Sequence, residues 1–355
     1  MIVRSQDRGT WSELNAITAP LHGSVWAAGT SFWLTDRIAV RPLVERWDDG
    51  AWQVVTVPRV RGRASLYGIA GSANGSLWAV GAVFYPRSEL TGGLILRWDG
   101  NRWRRVPFPT PRISYGSLSF NAVDAVSETD ALAVGTRLGR SGLPGPLVER
   151  WNGTEWRVMR VPRPSDRGDA SLSAVTHVPH SGMRVAVGGV ESRSPMGGEG
   201  RKHPLIEMFD GSRWRPLPSP TQRGTLRAVV GVSVTDVWAV GDSAARTPQT
   251  GQPLILHWNG ASWQTVPSPV LPGHGELDGV AGTRRDLWAV GRAYDQLGNP
   301  AVLVEHWDGR RWTIGQAPTP SGGGGLAGVT ATRHAYWAAG SSEAISTLTE
   351  RTARR

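Results

Sequence analysis

A short phrase recurs seven times along the chain and constrains its fold more than any other feature. SLWAVGA at residues 76–82 is a representative copy. The glycine that all copies share falls at positions 29, 81, 135, 188, 241, 291 and 340, so successive copies lie 52, 54, 53, 53, 50 and 49 residues apart. A nearly constant period of this size is typical of repeat architectures. The sequence therefore predicts seven related structural units rather than two or three unrelated domains.

Each unit contains four short apolar segments, rich in Val, Ile, Leu and Trp and bounded by Gly, Pro, Asn or Asp, which indicates strands. Asp-Gly or Asn-Gly usually joins the third segment to the fourth, as at Asp99-Gly100, and favours a tight hairpin. Seven meanders of four antiparallel strands predict an all-β fold, a seven-bladed β-propeller, as a single domain over residues 1–355. We expect its blades at about 14–60, 66–107, 120–162, 172–218, 226–267, 277–317 and 326–352 together with 1–5.

The two ends of the sequence are expected to share the last blade. The C-terminal LTERTARR aligns with LVERWDDG in the first repeat and supplies a third strand, after which the sequence stops one strand short. Ile2 to Ser5 lie at a spacing that suits the missing fourth strand. Pairing of the two ends would close the ring and remove an open sheet edge.

The repeat pattern, clearest over residues 226–269, resembles the WAVG-type tandem repeats of bacterial propellers, which stand near the kelch and galactose-oxidase-like propellers. The resemblance covers essentially the whole chain and implies a seven-bladed propeller, but it implies no particular activity. The chain departs from better-known families. The Gly-His partner of WD repeats is missing, and the paired glycine of kelch repeats occurs within the repeat phrase only at Gly188-Gly189.

Composition excludes several classes of function. The chain has no cysteine, so disulfides, thiolate catalysis and cysteine-ligated metals are excluded. No apolar run approaches the ~20 residues of a membrane span, and the first residues do not resemble a secretion signal. We therefore expect a cytoplasmic protein, or a secreted one if a signal has been removed, with no membrane contact and a monomeric state.

Tryptophan is abundant, and most of it follows the repeat. Sixteen of the 18 tryptophans fall in repeat positions, where we expect them to fill the space between blades. Trp11 and Trp33 have no repeat position. Trp33 belongs to the connection between the second and third strands of blade one, and exposed aromatic residues there suggest contact with a ligand or partner.

Arginine dominates the positive charge, which exceeds the negative charge by 10. The connections expected on the face that holds the channel mouth carry 18 basic and 12 acidic residues, and an Arg-Gly step recurs there at Arg8, Arg61, Arg167 and Arg223. Guanidinium groups bind carboxylate and phosphate well. The predicted ligand-binding residues are Trp33, Arg37, Arg61, Phe84, Tyr85, Arg112, Tyr115, Arg167, Arg223, Arg292 and Tyr294.

Two classes of function fit this pattern. The first is a non-catalytic binding propeller that takes an anionic or aromatic small molecule, or a protein partner, at the channel mouth. The alternative is an enzyme of small-molecule metabolism, such as a lyase, hydrolase or cyclase, with His203, His274 or Tyr294 as acid–base groups. No cofactor or metal is expected because no ligand motif is present. Nucleic acid is not expected, since acidic residues are interleaved with the arginines.

Overall fold

The computed structural model describes residues 2–4, 9–20, 24–34, 38–72, 74–109, 117–138, 142–164, 168–192, 200–221, 223–243, 251–342 and 346–353. Its strands, in chain order, are β1 (Ile2–Arg4), β2 (Trp11–Thr18), β3 (Val25–Leu34), β4 (Ile38–Asp48), β5 (Ala51–Val54), β6 (Arg63–Gly71), β7 (Leu77–Tyr85), β8 (Leu90–Trp98), β9 (Trp103–Arg105), β10 (Leu118–Ser127), β11 (Asp130–Leu138), β12 (Pro144–Trp151), β13 (Trp156–Val158), β14 (Asp169–His177), β15 (Arg184–Glu191), β16 (Lys202–Phe209), β17 (Trp214–Pro216), β18 (Thr225–Ser233), β19 (Asp236–Asp242), β20 (Pro253–Trp258), β21 (Trp263–Thr265), β22 (His274–Thr283), β23 (Asp286–Tyr294), β24 (Pro300–Trp307), β25 (Trp312–Ile314), β26 (Gly324–Ala331), β27 (Ala335–Ser342) and β28 (Ser346–Ala353). No helix among these residues is long and apolar enough to cross a membrane.

The strands form seven four-stranded antiparallel sheets, which we number as blades one to seven from β2 onward. The first strands of successive blades contact one another in the order β2, β6, β10, β14, β18, β22 and β26, and β26 contacts β2. This circle of inner strands surrounds the central channel. The all-β propeller with four-stranded antiparallel blades is therefore the observed fold.

The last blade contains strands from both ends of the chain. β1 pairs with β28 in an antiparallel register in which Ile2 lies opposite Glu350 and Arg4 opposite Leu348. The sheet order is β1-β28-β27-β26, so β1 is the outer, fourth strand. Of the predicted segment, Ser5 lies outside the described residues.

The glycine of the repeat phrase is required by a close approach between two strands. A side chain on Gly81 would place its Cβ about 2.0 Å from the backbone oxygen of Ser65, and the same clash arises at Gly135 with Ser119. A β-bulge follows at this point of the inner strand, between Leu66 and Gly68 in blade two. Only glycine allows the second strand to lie so close to the bulged strand.

The repeat tryptophans form the contacts between blades, as predicted. The phrase tryptophan of one blade packs against the third- and fourth-strand tryptophans of the next, as Trp78 does with Trp151 and Trp156 at centroid distances of 5.1 and 5.0 Å. Equivalent groups of three occur elsewhere: Trp26, Trp98 and Trp103; Trp238, Trp307 and Trp312; Trp337, Trp47 and Trp52. Twelve of the sixteen are buried.

The connections between second and third strands differ from the prediction in blades one and two. Residues assigned to a long loop around Trp33 instead extend the hairpin, with β3 continuing to Leu34 and β4 beginning at Ile38. In blade two, β7 continues to Tyr85 and β8 begins at Leu90. In both hairpins the two strands stay paired to their ends. No turn motif in the sequence marks where the strands end, so this extra length was not predicted.

Candidate functional site

A cleft of about 1150 Å³ lies between blades one and two, on the face that carries the β3–β4 and β7–β8 connections. Three parts of the chain enclose it. They are the start of β4, the connection from β5 to β6, and the end of β7 with the turn that follows. The lining residues are Ile38, Ala39, Val40, Arg41, Pro42, Thr56, Val57, Pro58, Arg59, Val60, Arg61, Gly62, Arg63, Ala64, Tyr85, Pro86 and Arg87.

Among the described residues, five arginines line this cleft and no aspartate or glutamate does. Arg41, Arg59, Arg61, Arg63 and Arg87 are all exposed to solvent. Among the described residues, none of the five has a carboxylate within ion-pair distance; the ion pairs with other arginines lie elsewhere. The cleft is therefore a concentration of uncompensated positive charge.

The walls of the cleft are largely apolar. Ile38 and Val40 contribute from β4, Val57 and Val60 from the connection, and Tyr85 from the end of β7. Ile38 keeps 48% of its surface exposed. A ligand that fills this space would place apolar groups against these walls and anionic groups toward the arginines on the rim.

Trp33 contacts one of the arginines that line the cleft. Its ring lies 5.3 Å from the guanidinium carbon of Arg41, a cation–π contact that orients a rim arginine. The indole nitrogen of Trp33 donates to Ser31 Oγ at 3.4 Å. Trp11, the other tryptophan outside the repeat, stacks on Phe32 at 4.8 Å. Both tryptophans stiffen the extended hairpin of blade one.

The structure brings some of the predicted ligand-binding residues together at this cleft. Arg61 and Tyr85 line it, Trp33 contacts it through Arg41, and Phe84 precedes Tyr85 with 36% of its surface exposed. The prediction placed the site at the channel mouth, and the cleft where these residues gather lies between blades one and two. Arg37, Arg112, Tyr115 and Arg167 lie outside the described residues.

A second group of predicted residues meets at blade six. His274 and Tyr294 lie opposite each other in the β22–β23 register and stack at 4.2 Å with an interplanar angle of 9°. Arg292 donates to the Tyr294 hydroxyl at 3.2 Å. His203 belongs to β16 in blade four, opposite Val190, and does not join this group. Arg223 is exposed at the entry to β18.

The glycine of the recurring Arg-Gly step is required by the backbone conformation. Gly62 and Gly224 adopt φ values of +114° and +125°, and a Cβ on either would clash with a backbone oxygen of the second strand, that of Phe84 or Asp242. Glycine is therefore needed where the connection enters an inner strand. The arginine of the step is not fixed in this way, and among the described steps only Arg61 lines the cleft.

An ion cluster at the channel was not predicted. Arg227 of β18 lies 2.9 Å from Asp242, 2.7 Å from Glu276 and 3.4 Å from Asp278. Burial raises the pKa of Asp278 to about 6, although Arg227 opposes this shift. With three carboxylates around one guanidinium, this arginine is already saturated and is a poor receptor for a further anion.

Buried glutamates in the third strands were also missed. Glu149 and Glu207 are 0% exposed, and neither carboxyl oxygen has a hydrogen-bond partner among the described residues. Burial raises the pKa of each to about 8, so both carboxyls are largely neutral at pH 7. The signal in the sequence was a glutamate inside an otherwise apolar strand, as in LVERW.

Metal coordination finds no support in the described residues, where no three His, Asp or Glu side chains gather in a way that could hold an ion. The buried carboxyls stand singly on separate blades. Glu305, for example, accepts a hydrogen bond from Ser268 Oγ at 2.9 Å and has no carboxylate partner.

Comparisons with known proteins identify the fold only. No protein-family model and no curated protein matches the chain, so neither the WAVG-type nor the kelch-like assignment is shown. Solved propellers match over nearly the full length. YCF48 bound to D1 peptide is 12% identical with a TM-score of 0.56, covering 99% of this chain and 100% of that one. The WD40 propeller domain of Doa1 is 9% identical with a TM-score of 0.60, covering 99% and 96%.

An enzyme is among the similar structures as well. The ulvan lyase of polysaccharide lyase family PL25, bound to -[GlcA(1-4)Rha3S]-, is 11% identical with a TM-score of 0.60, covering 96% of this chain and 93% of that one. At this level of identity the chain is shown to be a β-propeller similar to these proteins, and its function has to be argued from its own residues.

Proposed function

We propose that this protein is a non-catalytic binding propeller that holds an acidic segment of a protein partner in the cleft between blades one and two. The observation that carries the proposal is the set of five exposed arginines around the cleft, with no carboxylate among the lining residues that the structure describes. Arginines that serve the fold are engaged by other groups of the protein: Arg227 pairs with carboxylates, and Arg97 lies over the rings of Trp78 and Trp151. Unpaired arginines grouped around a cavity are typical of a receptor for anions.

A protein segment suits this cleft better than a small anion. The volume of about 1150 Å³ exceeds that of a typical small-molecule pocket. Its walls alternate apolar side chains with arginines, which matches a chain that carries both apolar and acidic residues. YCF48, a propeller of similar fold, was solved with a bound peptide.

Binding of an acidic peptide tests the proposal directly. The probe is a fluorescein-labelled heptapeptide of alternating glutamate and valine, and the measurement is its fluorescence anisotropy. The double variant Arg61→Ala/Arg63→Ala should weaken binding at least about 100-fold, since each charge-assisted contact contributes about 1.5–3 kcal/mol. Binding should also weaken steeply between low and high salt.

The matched control removes the same charge elsewhere. Arg310 and Arg311 are exposed in the turn between β24 and β25 and do not line the cleft. The variant Arg310→Ala/Arg311→Ala should bind the peptide within about twofold of the wild type. Equal losses in both double variants would mean that net charge alone attracts the peptide, and the proposal would be wrong.

A second candidate is an enzyme that uses the group at blade six. Arg292 bonded to the Tyr294 hydroxyl, with His274 stacked on the ring, could bind an anionic substrate beside an acid–base pair. Turnover of a uronate-containing oligosaccharide that is lost in Tyr294→Phe, with peptide binding unchanged, would favour this candidate. Absence of turnover across a set of anionic saccharides would leave binding as the function.

A further inference from the structure

Within the part of the chain that the structure describes, the outer edge of β4 is unpaired beside the cleft. β5 pairs only with Glu45–Asp48, and one more backbone bond follows, from Val55 N to Val44 O at 2.8 Å. The chain then turns away into the connection to blade two, whereas β4 continues to Ile38. Several residues of β4 therefore have a partner strand on one side only, and these residues line the cleft.

Alternation decides which backbone groups face the cleft. In an antiparallel ladder the N–H and C=O of one residue point to the same side, and every second residue repeats that direction. Val44 faces outward because its oxygen accepts from Val55. Pro42, Val40 and Ile38 therefore face outward too. Pro42 has no N–H, so the open edge offers the C=O of Pro42 and the N–H and C=O groups of Val40 and Ile38.

In three other blades, the oxygen equivalent to Val40 O already has a partner. Val40 lies three residues before the third-strand leucine, and the same position is Pro144, Lys202 and Gly251 in blades three, four and five. Pro144 O accepts from Arg163 Nη2 at 3.0 Å, Lys202 O from Gly224 N at 3.0 Å, and Gly251 O from Gly275 N at 2.9 Å.

Blade two closes the corresponding space with side chains. Gly93, at the position of Pro42, is packed so tightly that an added Cβ would lie 2.9 Å from Phe108 and 2.5 Å from Leu118. At the cleft no described backbone group bonds Val40. Unpaired strand edges that are accessible to another chain are templates for strand addition.

We propose that the acidic segment binds as a short extra β-strand along Ile38–Val40, so that its backbone is recognised together with its charge. This inference rests on the proposed function and specifies how the segment is held. Side chains of a strand alternate between two faces. One face of the segment would contact Val57, Val60 and Tyr85, and the other would direct its carboxylates to the rim arginines. A saccharide lacks the evenly spaced N–H and C=O groups that this edge requires.

The test is a backbone N-methyl scan of the glutamate–valine heptapeptide. One amide at a time is methylated, which removes a donor and blocks a ladder position without changing the charge. Methylation at alternate central residues should weaken binding at least about tenfold, and methylation at the residues between them should change it little. Val40→Pro in the protein should weaken the unmodified peptide by a similar factor.

Controls separate the edge from the fold and from the charge. Proline occupies the position of Val40 in blades three and six, at Pro144 and Pro300, so Val40→Pro should fold with an unchanged melting temperature. Thr91→Pro makes the same change in blade two and should bind as the wild type does.

The outcomes distinguish the two proposals. If the peptide binds and depends on Arg61 and Arg63, but every N-methyl peptide binds equally well, strand addition is wrong and the proposed function stands. If the unmodified peptide does not bind at millimolar concentration, both are wrong. A two-residue periodicity in the scan supports strand addition, and loss of that periodicity in Val40→Pro supports it further.

Discussion

Two regions between blades contain arginines, and they differ in whether carboxylates neutralise the arginine charge. Between blades three and four, Arg184 is 6% exposed, bonds the carboxylate of Asp130 and lies 3.8 Å from Asp124 Oδ2. Between blades one and two, Arg61 and Arg63 are exposed on the rim of the cleft and have no carboxylate partner among the described residues. The same type of side chain is thus compensated in one region and uncompensated in the other.

We interpret the paired Arg184 as a structural residue and the unpaired Arg61 and Arg63 as residues that can bind a ligand. Blade three carries Leu132 where most blades have the tryptophan of the repeat phrase. Arg184 pairs with Asp130, two residues before this smaller side chain. Arg150 and His177 extend the group, at 3.0 Å from Asp130 and Asp124 respectively. A charge buried in this way is tolerated because its partners are fixed. A charge left without partners in a cleft remains available to a ligand.

The largest expected effect is on stability in the compensated region. Arg184→Ala removes the buried guanidinium from Asp130 and Asp124, which keep only the more exposed Arg150 and His177, and should lower the free energy of unfolding by about 3–5 kcal/mol. Arg61→Ala removes an exposed, unpaired side chain and should change it by less than about 0.5 kcal/mol. Urea titration of the two variants measures both. Similar losses would show that the two regions do not differ as described.

The next effect concerns the buried carboxyls in blades three and four. The pKa of Glu149 and of Glu207 is about 8 in the folded protein, above the ordinary value of 4.5. The folded state therefore favours the neutral form, and stability falls as pH rises from about 4.5 to 8. Glu149→Gln/Glu207→Gln should be more stable than the wild type by several kcal/mol at pH 9 and by almost nothing at pH 4. Unfolding curves for both proteins that shift in parallel with pH would contradict this.

A smaller effect is expected from His177. Its hydrogen bond to Asp124 raises its pKa, while partial burial opposes the shift. Stabilisation by the protonated imidazole is complete below the unfolded value of about 6.5 and is lost as pH rises through the raised folded value. His177→Gln should therefore be less stable than the wild type at pH 5 and close to it at pH 9. NMR titration of the His177 ring checks the direction of the shift.

The repeated parts of this molecule could be predicted from the sequence, because each blade needs the same residues at the same positions. Glycine at 81, the Asp99-Gly100 turn and the tryptophans between blades each recur with the period of the fold, and pairing of the chain ends followed from counting strands. The long hairpin of blade one lies outside the recurring phrases, and no turn motif in the sequence marks its end.

The cleft could be predicted only in part. Arg61 and Tyr85 stood out as a repeated step and as an unusual aromatic residue, but only the folded chain shows that Arg41, Arg59 and Arg87 meet them. Partners across blades depend on distances that a single sequence does not contain. Asp124 and His177, for example, are 53 positions apart and are joined at 3.0 Å.

Site-directed cross-linking tests the central claim most directly, since the chain has no natural cysteine to interfere. Ile38→Cys places one thiol in the cleft, and Val234→Cys places one in the turn between first and second strands of blade five, on the opposite face. The native side chains are 48% and 49% exposed, so the two sites are matched in access. A bromoacetyl-labelled glutamate–valine heptapeptide should modify Ile38→Cys at least about tenfold faster than Val234→Cys at low salt, and high salt should remove the difference. Equal rates at both sites at low salt would contradict binding of an acidic segment between blades one and two.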